Sequence, residues 1–520
     1  MRQNLTKKSI LKKAAQFGGV TFLSRIFGII REMLLARTLG VGAISDAFLI
    51  AFKIPSFFRR IFAEGSLSAA FVPVFVKKIR KKKFSLANSL MSSTFLFFEG
   101  IVLLLVVLVA IFPRYVFYFA APGFTEEQLK YAIPFLRILF PMLFFYSSSA
   151  LFAGALNSVN HVLIPAAGPV VMNIVLILFL LGAKFLGFSL ITVCYGILLS
   201  GFIVFLMHLI TFFYYNFKFE RPVKEANKSL RVILSKFLPS LLGVSIIEIN
   251  LFADTAIASY LKAGNVSMMH YAGRFMNLPI GVFAVGFATI ILPHFSRYAA
   301  YAPKRLKFQI FESTKLITWL ILPAMLFLMF VSKEIFTILM FGKVTTMQNA
   351  LIAKNLLMIY LSALVFYCLN KVLVNVFYAL NNTVTPTIAL VISSIVNICI
   401  NIIGMIYFGA FGIAASTALS GVVLTVLYFI FLHKKYNYKF YYARYFQFLI
   451  RYIFQLILGS LVFFSFYKLS FFVLSFTNYF NFFKYGFGFW IIVMPLAAII
   501  SFFIYKTSKL FGIKLYFLSK

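Results

Sequence analysis

Fourteen long apolar runs dominate this sequence, and they constrain the fold more than any other feature. A helix that crosses a bilayer needs about 20 predominantly apolar residues, and short connections separate the runs. The runs are centred on residues 17–39, 46–76, 87–112, 132–156, 162–183, 187–215, 233–260, 267–296, 314–332, 348–379, 384–407, 411–432, 448–467 and 487–505. Because 62% of the 520 residues are hydrophobic and 12% are charged, a soluble fold could not bury this much apolar surface. The sequence predicts an all-α integral membrane protein with fourteen transmembrane helices.

Basic residues are distributed unevenly among the connections. The chain has 49 Lys and Arg against 12 Asp and Glu. With the N-terminus inside, the cytoplasmic segments hold 31 of the basic residues and the opposite loops hold eight. This is the asymmetry of the positive-inside rule, and it predicts an even number of spans with both termini in the cytoplasm. The basic run 77–83 could bind RNA, but its position between two spans favours an anchor near anionic lipid, so we expect no nucleic-acid partner.

Two stretches of the chain contain the same spacing of residues, as in an internal repeat. Asn157 and Asn173 are sixteen residues apart, and so are Asn381 and Asn397, at an offset of 224. A second match, between residues 73–75 and 293–295, has an offset of 220. These offsets predict two homologous six-helix lobes, 1–216 and 217–433, with two additional helices in 434–520, although short matches also arise by chance. Repeats of an even number of spans keep the same orientation, which predicts pseudo-symmetric lobes around a central cavity.

The first two runs contain nine charged side chains at positions where lipid would surround an outward-facing group. They are Arg25, Arg31, Glu32, Arg37, Asp46, Lys53, Arg59, Arg60 and Glu64. Facing lipid, they would cost on the order of 20 kcal/mol together, so they must face protein or a water-filled cavity. Arg60 with Glu64, and Arg25 with Glu32, have helical spacings that allow ion pairs.

Two interpretations of these charges stay open. Internal salt bridges and snorkelling account for Arg37, Lys53 and one of Arg59 or Arg60. An anion-binding cavity, to which Arg274 adds a cation from the other half, accounts better for a surplus of one sign. Guanidinium groups suit such a cavity because their planar fork holds phosphate oxygens bidentately and stays charged.

A second polar group falls in the C-terminal half. It combines Asp254, Asn397, Asn401 and Thr417, whose oxygens could coordinate a small hard cation such as Na⁺. Hydrogen bonding between packed membrane helices explains the same residues equally well. Na⁺ is the one bound or coupling ion that the sequence suggests, and we expect no other cofactor.

Several motifs resemble the MurJ (MviN) family. They are Ser24-Arg25-Ile26-Phe27-Gly28, Arg31-Glu32, Ser45-Asp46-Ala47-Phe48, Ala51-Phe52-Lys53-Ile54-Pro55, residues 59–65, Ala70-Phe71-Val72-Pro73, Gly273-Arg274-Phe275-Met276, Leu278-Pro279 and Ile291-Leu292-Pro293. The resemblance runs across most of the chain and is weakest in the last two spans. It implies a MATE-like or polysaccharide-flippase (MOP superfamily) fold, with two six-helix lobes and two additional helices.

The resemblance also implies a function. The family moves lipid II, the undecaprenyl-pyrophosphate-linked peptidoglycan precursor, from the cytoplasmic to the outer leaflet of the bacterial inner membrane by alternating access. It is a transporter family of cell-wall synthesis and cell shape, so we do not expect an enzyme. The expected partners are lipid II, membrane lipids and other cell-wall synthesis proteins.

The resemblance also implies site residues, which are assigned by their positions in the matching motifs. The family's essential cavity arginines, its substrate-binding residues, match Arg25, Arg31, Arg59 and Arg274. Acidic positions of the transport cycle match Asp46 and Glu64, and Glu32, Lys53 and Arg60 are grouped with them as salt-bridge residues. The Asp254, Asn397, Asn401 and Thr417 group resembles a cation site seen in some members. Three positions depart from the family pattern. Glu32 stands where the family often has Asp, which is a mild change, and Gly273 and Asn401 stand where relatives carry carboxylates.

Two other functions compete with lipid II transport. A related flippase or exporter could carry another lipid-linked oligosaccharide, whereas an exporter of cationic drugs would need an acidic cavity. A membrane-embedded transferase would need acids grouped for metal binding or proton transfer, and the 12 acids of this chain are scattered.

Overall fold

The protein is described from a computed structural model that covers residues 7–62, 66–159, 161–340 and 345–518. All regular secondary structure in these ranges is helical, as the apolar runs predict. The chain divides into two compact units, Met1–Ser267 and Met268–Lys520. The three-part division at residues 216 and 433, which rests on the sequence repeat, stays a prediction.

The first unit contains ten helices in its described part. In chain order they are α1 (Lys7–Leu39), α2 (Ala43–Phe62), α3 (Ser66–Arg80), α4 (Phe84–Ile111), α5 (Pro113–Ala120), α6 (Glu126–Leu139), α7 (Met142–Ser158), α8 (Leu163–Phe185), α9 (Leu190–Tyr214) and α10 (Lys224–Ala258). Helix α1 packs along α8, α2 along α6, and α10 against α3 and α4. A buried phenylalanine cluster that includes Phe71, Phe75, Phe98 and Phe152 joins α3, α4 and α7.

The second unit is built from the remaining helices, of which α11 begins just before the boundary between units. They are α11 (Asn265–Pro279), α12 (Gly286–Tyr301), α13 (Pro303–Phe330), α14 (Ser332–Glu334), α15 (Met347–Ser362), α16 (Leu364–Ala379), α17 (Val384–Phe408), α18 (Ala410–Tyr436), α19 (Tyr442–Ser475), α20 (Phe480–Tyr485) and α21 (Gly488–Thr507). The π-helical segments Ile280–Val285 and Ile335–Met340 follow α11 and α14.

Close packing within the second unit depends on glycine at one crossing. Helices α17 and α18 approach so closely that a Cβ on Gly412 would lie 1.9 Å from the carbonyl oxygen of Gly404. Helix α16 packs against α12, α13 and α18, whereas α19 packs along α21. This pair, α19 and α21, corresponds to the two helices that fall outside the sequence repeat.

The predicted apolar runs fall in helical parts of the described chain, but the count of fourteen transmembrane helices stays a prediction. Within the described residues, ten helical segments are long and apolar enough to cross a membrane, or up to eleven when α15 and α16, bent by 41°, count as one span. Helix α2 is not among them, since Asp46, Lys53, Arg59 and Arg60 lie on its 20 residues. The predicted span 46–76 is divided between α2 and α3.

Candidate functional site

Arg31 is held inside the first unit by contacts on both sides of its guanidinium group. Nη1 donates to Oδ1 of Asn173 on α8 at 2.9 Å, and Nη2 forms an ion pair with Glu32. Asn173 also donates from Nδ2 to the carbonyl oxygen of Ser24 at 3.0 Å. Only 8% of Arg31 is exposed. The amide of Asn173 therefore fixes both α1 and the arginine side chain against α8.

Arg59 lies on α2 and reaches the same part of α8. Its guanidinium carbon is 5.0 Å from the ring centroid of Tyr146, and Nη1 is 4.0 Å from the sulfur of Met172. Since Met172 and Asn173 are adjacent, Arg31 and Arg59 converge on one turn of α8. An arginine over an aromatic face keeps its charge while losing little hydration.

The other two predicted binding arginines are exposed. Arg25 lies on α1 in the first unit, and Arg274 lies on α11 in the second. The structure thus brings Arg31 and Arg59 to α8, and a site that includes all four arginines stays a prediction.

A second face of α2 carries Asp46, Lys53 and Arg60, each seven residues after the one before. Side chains at this spacing lie along one side of a helix. Lys53 donates to the carbonyl oxygen of Leu251 and to Oγ1 of Thr255. Arg60 donates from Nη1 to both oxygens of Glu248, at 2.7 and 2.8 Å. Two of the three side chains thus attach α2 to α10.

Asp46, the third of them, caps the start of α11. Its carboxylate accepts hydrogen bonds from the backbone N–H of Gly264 at 2.6 Å and of Ser267 at 2.8 Å, and from the hydroxyl of Ser267. A carboxylate satisfies the free N–H groups at a helix start and interacts favourably with the helix dipole. Gly264 has φ +97°, and a Cβ there would meet Val41 at 2.7 Å. Asp46, 1% exposed, therefore fixes the connection between α10 and α11.

The structure shows acidic partners that helical spacing does not predict. Arg60 pairs with Glu248 on α10, whereas its predicted partner Glu64 lies outside the described residues. The pairing of Arg25 with Glu32 stays a prediction. Glu32 forms an ion pair with its neighbour Arg31. Asn173 and Tyr146 were also missed as site residues. The repeated asparagine could have indicated Asn173, and the carboxylate of Glu248 inside the apolar run 233–260 could have indicated a buried partner. Tyr146 left no signal in the sequence.

The predicted cation-site residues are distributed over both units. Asn397 and Asn401 are fully buried on α17, where Nδ2 of Asn401 donates to Oδ1 of Asn397 at 2.8 Å. Thr417 on α18 donates to the carbonyl oxygen of Ile413 at 3.0 Å, and Asp254 belongs to the first unit. Within the second unit these contacts are those of hydrogen-bonded packing, and Na⁺ binding stays a prediction.

An apolar groove of about 570 Å³ lies inside the second unit between α13, α19 and α21. Its lining residues are Phe283, Trp319, Leu320, Pro323, Ala324, Leu326, Phe327, Phe330, Leu456, Gly459, Ser460, Phe463, Phe464, Ala497, Ile500, Ser501 and Ile504. No charged side chain belongs to this lining in the part of the chain that the structure describes.

Specific contacts join several residues that line the groove. The carbonyl oxygen of Trp319 accepts a hydrogen bond from the hydroxyl of Tyr452 at 2.5 Å. The ring of Phe330 packs edge-on against Phe463 and Phe464, with centroids 5.1 and 5.3 Å apart. The lining offers apolar surface with few hydrogen-bonding groups, as is typical of a site for a hydrocarbon chain.

Comparison with known proteins gives consistent matches. The family model described as "Lipid II flippase MurJ" matches residues 35–503. A probable lipid II flippase MurJ of Rhizobium meliloti is 33% identical over 438 residues, covering 81% of this chain and 80% of that protein. One of Buchnera aphidicola subsp. Acyrthosiphon pisum is 30% identical over 426 residues, covering 80% and 82%.

Solved structures agree with the sequence matches. A lipid II flippase MurJ in an inward closed conformation superposes with a TM-score of 0.76 at 26% identity, covering 95% of this chain and 98% of that one. An inward-facing multidrug resistance MATE transporter of the MOP superfamily gives 0.68 at 16% identity, covering 80% and 97%. Its similarity concerns the fold alone.

The apolar helices and the match to a solved lipid II flippase together define a multi-pass membrane transporter. Within that class, the chain belongs to the MurJ family of lipid II flippases.

Proposed function

We propose that this protein moves lipid II from the cytoplasmic to the outer leaflet of the bacterial inner membrane. The carrying observation is the convergence of Arg31 and Arg59 on one turn of α8. A diphosphate cannot cross hydrocarbon unaided, because its charges would lose their solvation. Fixed guanidinium groups replace that solvation without having to reorganise during transport.

Headgroup binding is assigned to Arg25, Arg31, Arg59 and Arg274. A guanidinium group has five N–H donors, so it can bind phosphate oxygens while some of its donors contact protein. The contacts of Arg31 with Asn173 and of Arg59 with Tyr146 support this role, because they hold the two side chains in place before the substrate binds.

The groove between α13, α19 and α21 is assigned to part of the polyprenyl tail. Its apolar lining and volume support this assignment. The tail gains nothing from charged contacts, so it needs only a surface that keeps hydrocarbon out of water.

Topology and energy coupling follow from the same proposal. Fourteen spans with both termini in the cytoplasm agree with the basic residues in alternate connections. Alternating access arises from rocking of two six-helix lobes, and Na⁺ at Asp254, Asn397, Asn401 and Thr417 is a candidate coupling ion. The membrane potential, about 2.3 kcal/mol per charge per 100 mV, can return the positively charged empty carrier. Transport by reconstituted protein that ignored an imposed potential would rule out that last step.

Complementation tests the proposal directly. A strain depleted of its own lipid II flippase receives the wild-type chain or the variants Arg25→Ala, Arg31→Ala or Arg274→Ala, with membrane insertion checked by immunoblot. We expect growth with the wild type and lysis with each variant. Rescue by all three variants would remove the assigned binding site. An inserted wild type that does not rescue would instead indicate another lipid-linked cargo.

A further inference from the structure

Arg60 differs from Arg31 in how many nitrogens of its guanidinium group form hydrogen bonds. Its hydrogen bonds to Glu248 both start from Nη1, at 2.7 and 2.8 Å. In the described part of the chain, Nη2 and Nε of Arg60 have no hydrogen-bond partner. By contrast, Arg31 uses Nη1 for Asn173 and Nη2 for Glu32. One edge of the Arg60 fork is therefore available to a ligand.

The two members of the Arg60–Glu248 pair differ in exposure. The side chain of Arg60 is 43% exposed and that of Glu248 is 11% exposed. Glu248 lies near the middle of the predicted span 233–260, where a lipid-facing charge would cost about 2.5–3.5 kcal/mol. A guanidinium edge that faced lipid at this depth would carry a similar cost, which favours water around the open edge of Arg60.

A guanidinium group can bind two anions at once, because its five N–H donors point outward in one plane. Glu248 occupies the Nη1 corner, which leaves the Nε–Nη2 edge for a pair of phosphate oxygens. The carboxylate also fixes the rotamer of a long side chain, so less conformational entropy is lost when the ligand binds.

We propose that Arg60 is a further binding residue for the phosphate oxygens of the substrate headgroup, and that Glu248 is its positioning residue. The proposal rests on the proposed transport of lipid II and adds a binding group on the face of α2 that contacts α10. It changes the assignment of Arg60 from a salt-bridge residue to a ligand-binding residue.

Binding of purified lipid II to the full-length protein tests this role. We expect Arg60→Gln to raise the Kd about ten-fold, the range of one hydrogen-bonded charge contact. Glu248→Gln should raise it less, because the guanidinium group remains but is held less firmly. The matched control is Arg114→Gln, which removes an arginine from the exposed Arg114–Glu126 pair and should leave the Kd unchanged.

A charge swap separates ligand binding from structural support. The double variant Arg60→Glu/Glu248→Arg keeps an ion pair between α2 and α10, so we expect near wild-type thermal stability with binding as weak as in Arg60→Gln. Restored binding in the swap, or wild-type binding in Arg60→Gln, would overturn the proposal. If the wild type itself binds no lipid II, the proposed function fails. If Arg31→Ala abolishes binding while every Arg60 and Glu248 variant binds normally, only the role of Arg60 and Glu248 is wrong.

Discussion

The charged faces of α1 and α2 in the first unit and the apolar groove of the second unit differ in the kind of contact that they offer. In the first, individual atoms hold individual charges, as Asn173 holds Arg31 and Glu248 holds Arg60. In the second, three helices leave a space of about 570 Å³ that no specific group fills. Charge requires defined geometry because an unpaired ion inside a membrane is costly, whereas hydrocarbon requires only apolar area. We therefore expect substitutions in the first region to act through the loss of charge and hydrogen bonds, and substitutions in the second to act through a change in side-chain volume or polarity.

The largest difference in transport between the two regions is expected from substitutions that preserve side-chain volume. Arg31→Met keeps the bulk of the side chain but removes its charge, and should lower transport by about 100-fold or more, since both the headgroup contact and the partner of Glu32 are lost. Leu456→Met in the groove should leave transport within about two-fold, because such swaps between apolar residues cost little. Lipid II transport in reconstituted vesicles measures both, and equal effects would contradict the comparison.

The next largest effect on transport is expected from a charge placed in the groove. Ser460→Asp introduces a carboxylate beside the apolar lining and should slow transport of full-length lipid II about ten-fold, because binding the tail would then desolvate the charge. The matched variant Ser460→Ala should transport like the wild type. An analogue with a short prenyl chain should be transported equally by both variants, and a defect of Ser460→Asp with that analogue would argue against tail binding in the groove.

The same glycine substitution should act differently in the two regions. Gly264→Ala places a Cβ 2.7 Å from Val41 at φ +97° and should destabilise the protein by about 1–3 kcal/mol. In Gly459→Ala the new Cβ meets Cγ1 of Ile504 at 3.3 Å and Ile500 at 4.0 Å. The Ile504 side chain can move into the groove, and alanine favours a helix by up to about 1 kcal/mol over glycine. Thermal unfolding in detergent should show a lower Tm for the first variant and an unchanged or higher Tm for the second.

The smallest effect is expected where polar contacts lie outside the spans. Hydrogen bonds from Ser85 and Asn88 lower the pKa of Glu220 below its ordinary value. A carboxyl with a lowered pKa contributes stability that is present above its ordinary pKa and is lost as the pH falls through its folded value. The Tm of the wild type should therefore fall slightly more than that of Glu220→Gln between pH 5 and pH 3. Parallel curves would show that these contacts add no pH-dependent stability.

The helices could be predicted because each one is encoded by its own residues. An apolar run requires no partner to become a membrane helix, since its backbone groups are satisfied within the segment. The same local chemistry required the charges of α1 and α2 to face protein or water. Helix breaks were predicted less well, as in the run 348–379, where α15 and α16 meet at 41°.

What the amino-acid sequence determined by itself was a helical membrane protein with charged side chains in its first two apolar runs, because hydrophobicity and charge act residue by residue. Only the tertiary structure decided that Asn173 holds Arg31 and that Glu248 holds Arg60, across 142 and 188 residues of chain. Spacing along a helix cannot indicate a partner on another helix. The groove has the same origin, since a cavity is a property of how α13, α19 and α21 pack and not of any one of them.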